Sequence, residues 1–129
     1  MMKKLVLFFL TAMLLVGCGQ ANQNNQEVVY MNITVQEAKQ IMDREEGYII
    51  LDTRTQAEYD EGHIPGAIVV PHDEITDRAE EELPDKDQLL LVYCRSGRRS
   101  KLAAEALVEL GYTNIKEFGG IIDWPYEVE

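Results

Sequence analysis

The chain has 129 residues and sets 12 basic side chains against 23 acidic ones, a formal net charge of −11. That balance argues against a nucleic-acid partner, which is held by neutralising phosphates with cations, and against charge-driven binding to an anionic lipid surface. The length suits one domain built around one core.

Lys3 and Lys4 precede a largely apolar run over residues 5–16. The run is short of the roughly 20 residues that span a bilayer, but it suits the core of a secretory signal. Leu15-Val16-Gly17-Cys18 follows and resembles the lipobox of bacterial lipoproteins. The resemblance implies export, loss of residues 1–17 and lipid attachment at Cys18. It also implies a membrane-anchored protein on the extracytoplasmic face of the cell envelope. An ordinary secretory signal or an uncleaved anchor is the plainer alternative. Cleavage would remove both lysines and no acid, leaving ten cations against 23 anions, or −13. Membrane association would then rest on the lipid, and two acyl chains would hold far better than one. Residues 18–27 comprise the lipidated cysteine and a flexible, amide-rich tether that includes GQANQNNQ. Residues 28–129 make up the domain.

Strand and helix signals alternate through that domain. Thr34 and Glu37 have capping-box spacing, in which each side chain bonds the other residue's backbone N–H. With Ala38, Ile41 and Met42 as the apolar stripe, a helix over residues 35–45 follows, ended by Gly47. Residues 48–51 read as a short buried strand. Thr55 and Glu58 repeat the capping box at a shorter helix, and the turn-rich residues 62–66 lead to a strand over 67–70. Residues 73–82 are predicted helical, with Ile75, Ala79 and Leu83 inward, and Pro84-Asp85 breaks them. Residues 88–93, QLLLVY, read as a central strand buried on both faces. Residues 100–110 form a helix with Leu102, Ala103, Ala106, Leu107 and Leu110 inward and Gly111 as its C-terminal cap. Residues 115–118 supply a last strand. The order implies an α/β domain with a mainly parallel sheet and helices on both faces.

The segment YCRSGRRS, residues 93–100, leaves the most hydrophobic strand and enters a helix start. In open α/β sheets the functional crevice lies at the carboxyl ends of the strands. A helix start offers unpaired N–H donors and a positive dipole end, so it favours an anion. Cys94 stands there beside arginines, and both influences lower a thiol's pKa and make it a nucleophile near neutral pH. Arg95, Arg98, Arg99 and Lys101 are four of the ten cations that cleavage would leave, and no Asp or Glu lies between Leu89 and Ala104. A basic, acid-free loop on an acidic chain marks an anion pocket. Gly97 gives the loop the conformational freedom to curl its amides inward. Two bland readings compete: a cysteine after an apolar strand serves as a small core residue, and an arginine run serves as solvated surface. No disulfide framework is available, because the lipobox takes Cys18 and leaves Cys94 unpaired, and an odd thiol in an exported protein calls for a chemical explanation.

These residues resemble the active loop of rhodanese domains, a family of single-domain sulfurtransferases. Residues 52–67, DTRTQAEYDEGHIPGA, resemble a second family signature, and Gly119-Gly120 with Trp124 resembles its closing element. The resemblance spans about residues 33–124. It implies that Cys94 attacks the outer sulfur of thiosulfate, or of a persulfide donor, to form a persulfide. A thiophilic acceptor such as cyanide or another thiol would then take the sulfur. Arg95, Ser96, Gly97, Arg98, Arg99 and Ser100 form the implied binding loop: inward amides of residues 95–99 stabilise the anionic persulfide, and one of the three arginines orients the donor. No cofactor is implied.

Arg54 and Glu58 stand at i and i+4 and are read as an ion pair. Asp52 either touches the site or holds structure by hydrogen bonding. His63 belongs to the loop scaffold, and His72 has no partner at metal-ligand spacing, so no metal site follows. Phosphatases and arsenate reductases of related fold use Cys-x5-Arg, whereas four residues separate Cys94 from Arg99 here, a tighter loop better suited to sulfur than to a tetrahedral phosphate. A non-catalytic persulfide carrier would use the same loop.

Overall fold

A computed structural model describes residues 29–129. The signal segment, Cys18 and the tether therefore lie outside the described residues. Within them the chain runs β1 (Met31–Asn32), α1 (Val35–Arg44), β2 (Ile49–Asp52), α2 (Gln56–Glu61), β3 (Ile68–Val69), α3 (Ile75–Glu82), β4 (Leu90–Cys94), α4 (Arg98–Glu109) and β5 (Ile115–Gly120). Single 3-10 turns, His72–Glu74 and Ile121–Asp123, precede α3 and follow β5. The five strands are all parallel, in the order β1-β5-β4-β2-β3.

Local chemistry accounts for the helix starts. Both capping boxes form: Thr34 and Glu37 satisfy each other's backbone N–H groups at α1, and Thr55 and Glu58 do so at α2. Each such cap contributes about 1 kcal/mol. Alternation along β4 decides the layering. Leu90 and Val92 point to one side, where they join Leu51 and Ile115 under Ile75, Ala79 and Leu83 of the α3 region and Ala103, Ala104 and Leu107 of α4. Leu91 and Tyr93 point to the other, where they join Ile50 and Phe118 under Val35 and Ala38 of α1 and Ile64 after α2. Helices thus cover both faces, and β4 is buried along its whole length, the pattern a central parallel strand requires.

Several predicted boundaries shift. The central strand starts at Leu90 and not residue 88, and it reaches Cys94 itself. The last strand runs on through Gly119-Gly120. The two-residue β1 is too short to leave a hydrophobic period and is absent from the sequence reading. Leu102, predicted inward, is 44% exposed. The helix begins two residues earlier than predicted, and its buried stripe is Ser100, Ala103, Ala104 and Leu107, the i, i+3, i+4, i+7 set that excludes position 102.

Candidate active site

In chain order the sheet steps from β2 outward to β3, then from β4 to β5 towards the opposite edge. The reversal lies between β2 and β4, and ligand crevices in open α/β sheets form at such a point, outside the carboxyl ends of the strands. The two strands end on Asp52 and Cys94. The sequence-predicted thiol therefore stands at the topological switch of the fold.

Between β4 and α4 only Arg95, Ser96 and Gly97 intervene, so the chain must turn sharply around the sulfur. Gly97 makes the turn as the N-cap of α4, with φ +109 and ψ −13, a conformation that a side chain disfavours. Its N–H donates to Cys94 Sγ at 3.0 Å. Cys94 is 1% exposed. Burial, the largest influence, pushes its thiol up, but hydrogen bonding from Ser100, Gly97 and Ser96 at the turn into α4 outweighs it and holds the thiol below its ordinary value. Backbone donors at the start of α4 are thus concentrated on one atom.

A glycine on the neighbouring strand allows this curl. β4 and β5 pair Val92 with Glu117 and then Cys94 with Gly120, so a bulge on β5 swings its end against the loop. A Cβ at Gly120 would lie 1.9 Å from the Arg95 carbonyl oxygen. Only glycine permits that approach.

The structure separates the three arginines of the loop. Arg95 and Arg98 are exposed, as is Ser96, whereas Arg99 is half-buried. Arg99 forms a two-pronged pair with Glu58, Nη1 to Oε1 at 2.7 Å and Nη2 to Oε2 at 2.9 Å. Arg99 is also close enough to Cys94 for the charge of the sulfur to raise its pKa, after the larger effect of Glu58. The Arg99 guanidinium in turn, helped by Thr55, holds the Glu58 carboxyl down at about 2. Glu58 therefore ties the start of α2 to the start of α4.

This corrects the expected Arg54–Glu58 pair. Arg54 precedes the N-cap Thr55, so it is not on the helix, and the i, i+4 geometry does not apply to it. Arg54 instead turns back on Asp52, with Nη2 2.6 Å from Oδ2 and Nε 3.0 Å from Oδ1, and donates to the Gly62 carbonyl at 2.7 Å. Tyr93, opposite Asp52 in the sheet, donates its hydroxyl to Asp52 Oδ2 at 2.8 Å and accepts from the Ile64 N–H at 3.1 Å. Burial first, and then the Asp52 charge, raises the Tyr93 phenol. Asp52 therefore has a structural hydrogen-bonding role.

His63 stacks on Tyr59 at 3.7 Å, its Nδ1 lies 2.9 Å from the Tyr59 carbonyl, and its backbone pairs with that of Glu129. His72 donates its backbone N–H to the Thr53 carbonyl at 2.9 Å in the 3-10 turn before α3.

One acid under the loop escaped the sequence reading. Glu117 is 1% exposed. It accepts from Asn32 Nδ2 at 2.7 Å, the Ser100 hydroxyl at 2.5 Å and the Gly119 N–H at 2.9 Å. The signal was its parity with Ile115, which places an acid on the core-facing side of β5.

A rhodanese-like domain model matches residues 34–125. The chain belongs to the rhodanese-like domain family. It is 40% identical over 73 residues to the thiosulfate sulfurtransferase PspE of Escherichia coli (strain K12), covering 57% of this chain and 70% of that protein. It is 37% identical over 98 residues to the putative sulfur carrier protein YrkF of Bacillus subtilis (strain 168), covering 75% of this chain but only about half, 52%, of that one. Among solved structures, an E. coli rhodanese with anions superposes with a TM-score of 0.59 at 35% identity, over 64% of this chain and 96% of that one. This rhodanese-like domain is thus related to sulfurtransferases, and the α/β expectation matches the rhodanese fold.

Proposed function

We propose that this rhodanese-like protein transfers sulfur from thiosulfate or a persulfide through a Cys94 persulfide. The observation that carries the reading is a buried thiol at the turn into α4 whose sulfur accepts from the Gly97 N–H at 3.0 Å, with the thiol held below its ordinary pKa. The Cys94 thiolate attacks the outer sulfur of thiosulfate. A new S–S bond forms, the S–S bond of the donor breaks, and its electron pair leaves with sulfite. The terminal sulfur of the persulfide then bonds to a thiophilic acceptor, and the Cys94 thiolate departs with the electrons of the cleaved bond. The loop amides stabilise the anion in both covalent states, a preorganised use of dipoles. Arg95 and Arg98, exposed at the rim, draw the anionic donor in, while Arg99 keeps its charge beside the sulfur.

The similarity to a putative sulfur carrier favours a second reading, in which Cys94 receives sulfur only to hand it to a partner protein. One experiment separates the two. The protein is incubated with thiosulfate and cyanide, and thiocyanate is measured beside the intact mass of the peptide that bears Cys94. Turnover that Cys94→Ser abolishes supports the enzyme. No thiocyanate, with a gain of one sulfur, about 32 Da, from a persulfide donor, supports the carrier. No sulfur gained from either donor overturns both.

The same proposal places the domain on the extracytoplasmic face of the envelope, anchored by lipid at Cys18. Its support is the sequence alone: Lys3 and Lys4, the apolar residues 5–16, and Leu15-Val16-Gly17-Cys18. Cells expressing Cys18→Ala should release the protein from the membrane fraction. Continued membrane retention of that variant would refute the anchor.

A further inference from the structure

The Ser100 hydroxyl touches both the sulfur site and Glu117, and it has one proton to give. Its oxygen lies 2.5 Å from Glu117 Oε2, 3.1 Å from the Gly97 carbonyl and 3.4 Å from the Gly119 carbonyl. Glu117 is surrounded by donors: Asn32, Ser100, the Gly119 N–H, and Lys101 Nζ at 3.7 Å from Oε1. A carboxylate has only acceptors to offer, so each of these groups donates to it. A charged acceptor at the shortest of the three distances outcompetes neutral carbonyls and a sulfur atom for the proton.

We propose that Glu117 is a positioning residue that takes the Ser100 hydroxyl proton for itself and turns the oxygen lone pairs of Ser100 towards Cys94, so that the sulfur is held by backbone N–H groups alone. The buried carboxylate also lies directly behind the loop, 3.9 Å from where a Cβ on Gly97 would stand. Both effects work against the negative form of the sulfur. The loop amides win, but by less than they would over a neutral residue. The chemical benefit is nucleophilicity, since a thiolate loses attacking power as its pKa falls. Glu117 thereby keeps Cys94 ionised but reactive.

The inference rests on Cys94 being the attacking thiolate, but its test needs no sulfur donor, so the two readings fail separately. The rate at which iodoacetamide alkylates Cys94, followed by peptide mass so that Cys18 does not intrude, is measured against pH in the full-length protein. The charged groups facing the pair are Lys101 on α4, Tyr30 before β1, Arg99 with Glu58, and the Asp52–Arg54 pair. All are present in every variant, so their contributions cancel in the comparison.

In Glu117→Gln the hydroxyl proton is free to turn to the sulfur and a like charge is gone, so the midpoint of alkylation should fall by about one pH unit. In Ser100→Ala the midpoint should stay or fall, because the lost hydroxyl donated to Glu117 and not to the sulfur. A midpoint that is unchanged or raised in Glu117→Gln overturns the proposal. So does a rise of about one unit in Ser100→Ala, the mark of a hydroxyl that donates to the thiolate. Should circular dichroism show Glu117→Gln unfolded, Ser100→Ala decides by the same criterion.

Discussion

Two charged clusters stand side by side at the ends of β2 and β4, and they are built on opposite plans. At Asp52 a buried carboxylate meets a buried guanidinium at 2.6 Å, and a tyrosine hydroxyl and two backbone groups saturate the rest. At Cys94 the stabilising groups are mostly backbone N–H donors aimed at one atom, and the nearby Arg95 and Arg98 have no ion pair among the described residues. The first cluster leaves an incoming ion nothing to do. The second presents donors and unneutralised cations, and that difference separates a structural knot from a candidate anion site.

The sharpest way to break the comparison is to empty one side of the knot. Arg54→Ala leaves Asp52 buried without its counter-ion and should cost about 4 kcal/mol in urea or thermal unfolding. Sulfur transfer per folded molecule should survive in that variant. If transfer is lost while the fold is retained, the knot is part of the site. Gly120→Ala attacks the loop side, because the new methyl meets the Arg95 carbonyl. It should cost about 2 to 3 kcal/mol and should also raise the thiol pKa by pushing the amides off the sulfur, which alkylation against pH would read.

Glu58 joins the two regions, and its effect is smaller. Its folded pKa is about 2, below the ordinary value of 4.5. The depressed carboxyl therefore contributes stability in full above its unfolded pKa, and that stability is lost as pH falls from about 4.5 towards 2. Because the pair is partly exposed, Glu58→Gln should cost about 1 kcal/mol at neutral pH and should blunt the acid limb of a stability profile between those values. A profile as steep as that of the unaltered protein would show the pair to be idle. Least of all, Arg98→Ala should leave stability within about 0.5 kcal/mol and raise the KM for thiosulfate a few-fold, with the difference shrinking at high salt.

What was legible in the sequence was what is local. The capping pairs Thr34/Glu37 and Thr55/Glu58 act over three residues, the apolar run before Cys94 marks a buried strand by composition, and the crowding of arginines around one thiol marks the loop. What was misread depends on partners distant in sequence. Glu58 reaches across 41 residues to Arg99 and not back to Arg54, and Glu117 meets Ser100 from another strand. Leu102 is apolar yet faces solvent, because the stripe that the sheet covers runs through the polar Ser100 with Ala103, Ala104 and Leu107. Spacing within one element is encoded in the chain, but the face that a neighbour covers is set only when the sheet assembles.

Cys94 is the free cysteine of the described residues. A disulfide needs a second thiol with its Cα within about 7 Å, and the described fold brings none there. Under the proposed transfer, sulfur loaded on Cys94 would find no resolving thiol among the described residues to expel it as an internal bridge. Its residence time would be set by collisions with molecules from outside, so under the proposed transfer the domain would work as a reservoir whose outflow is controlled by its acceptors.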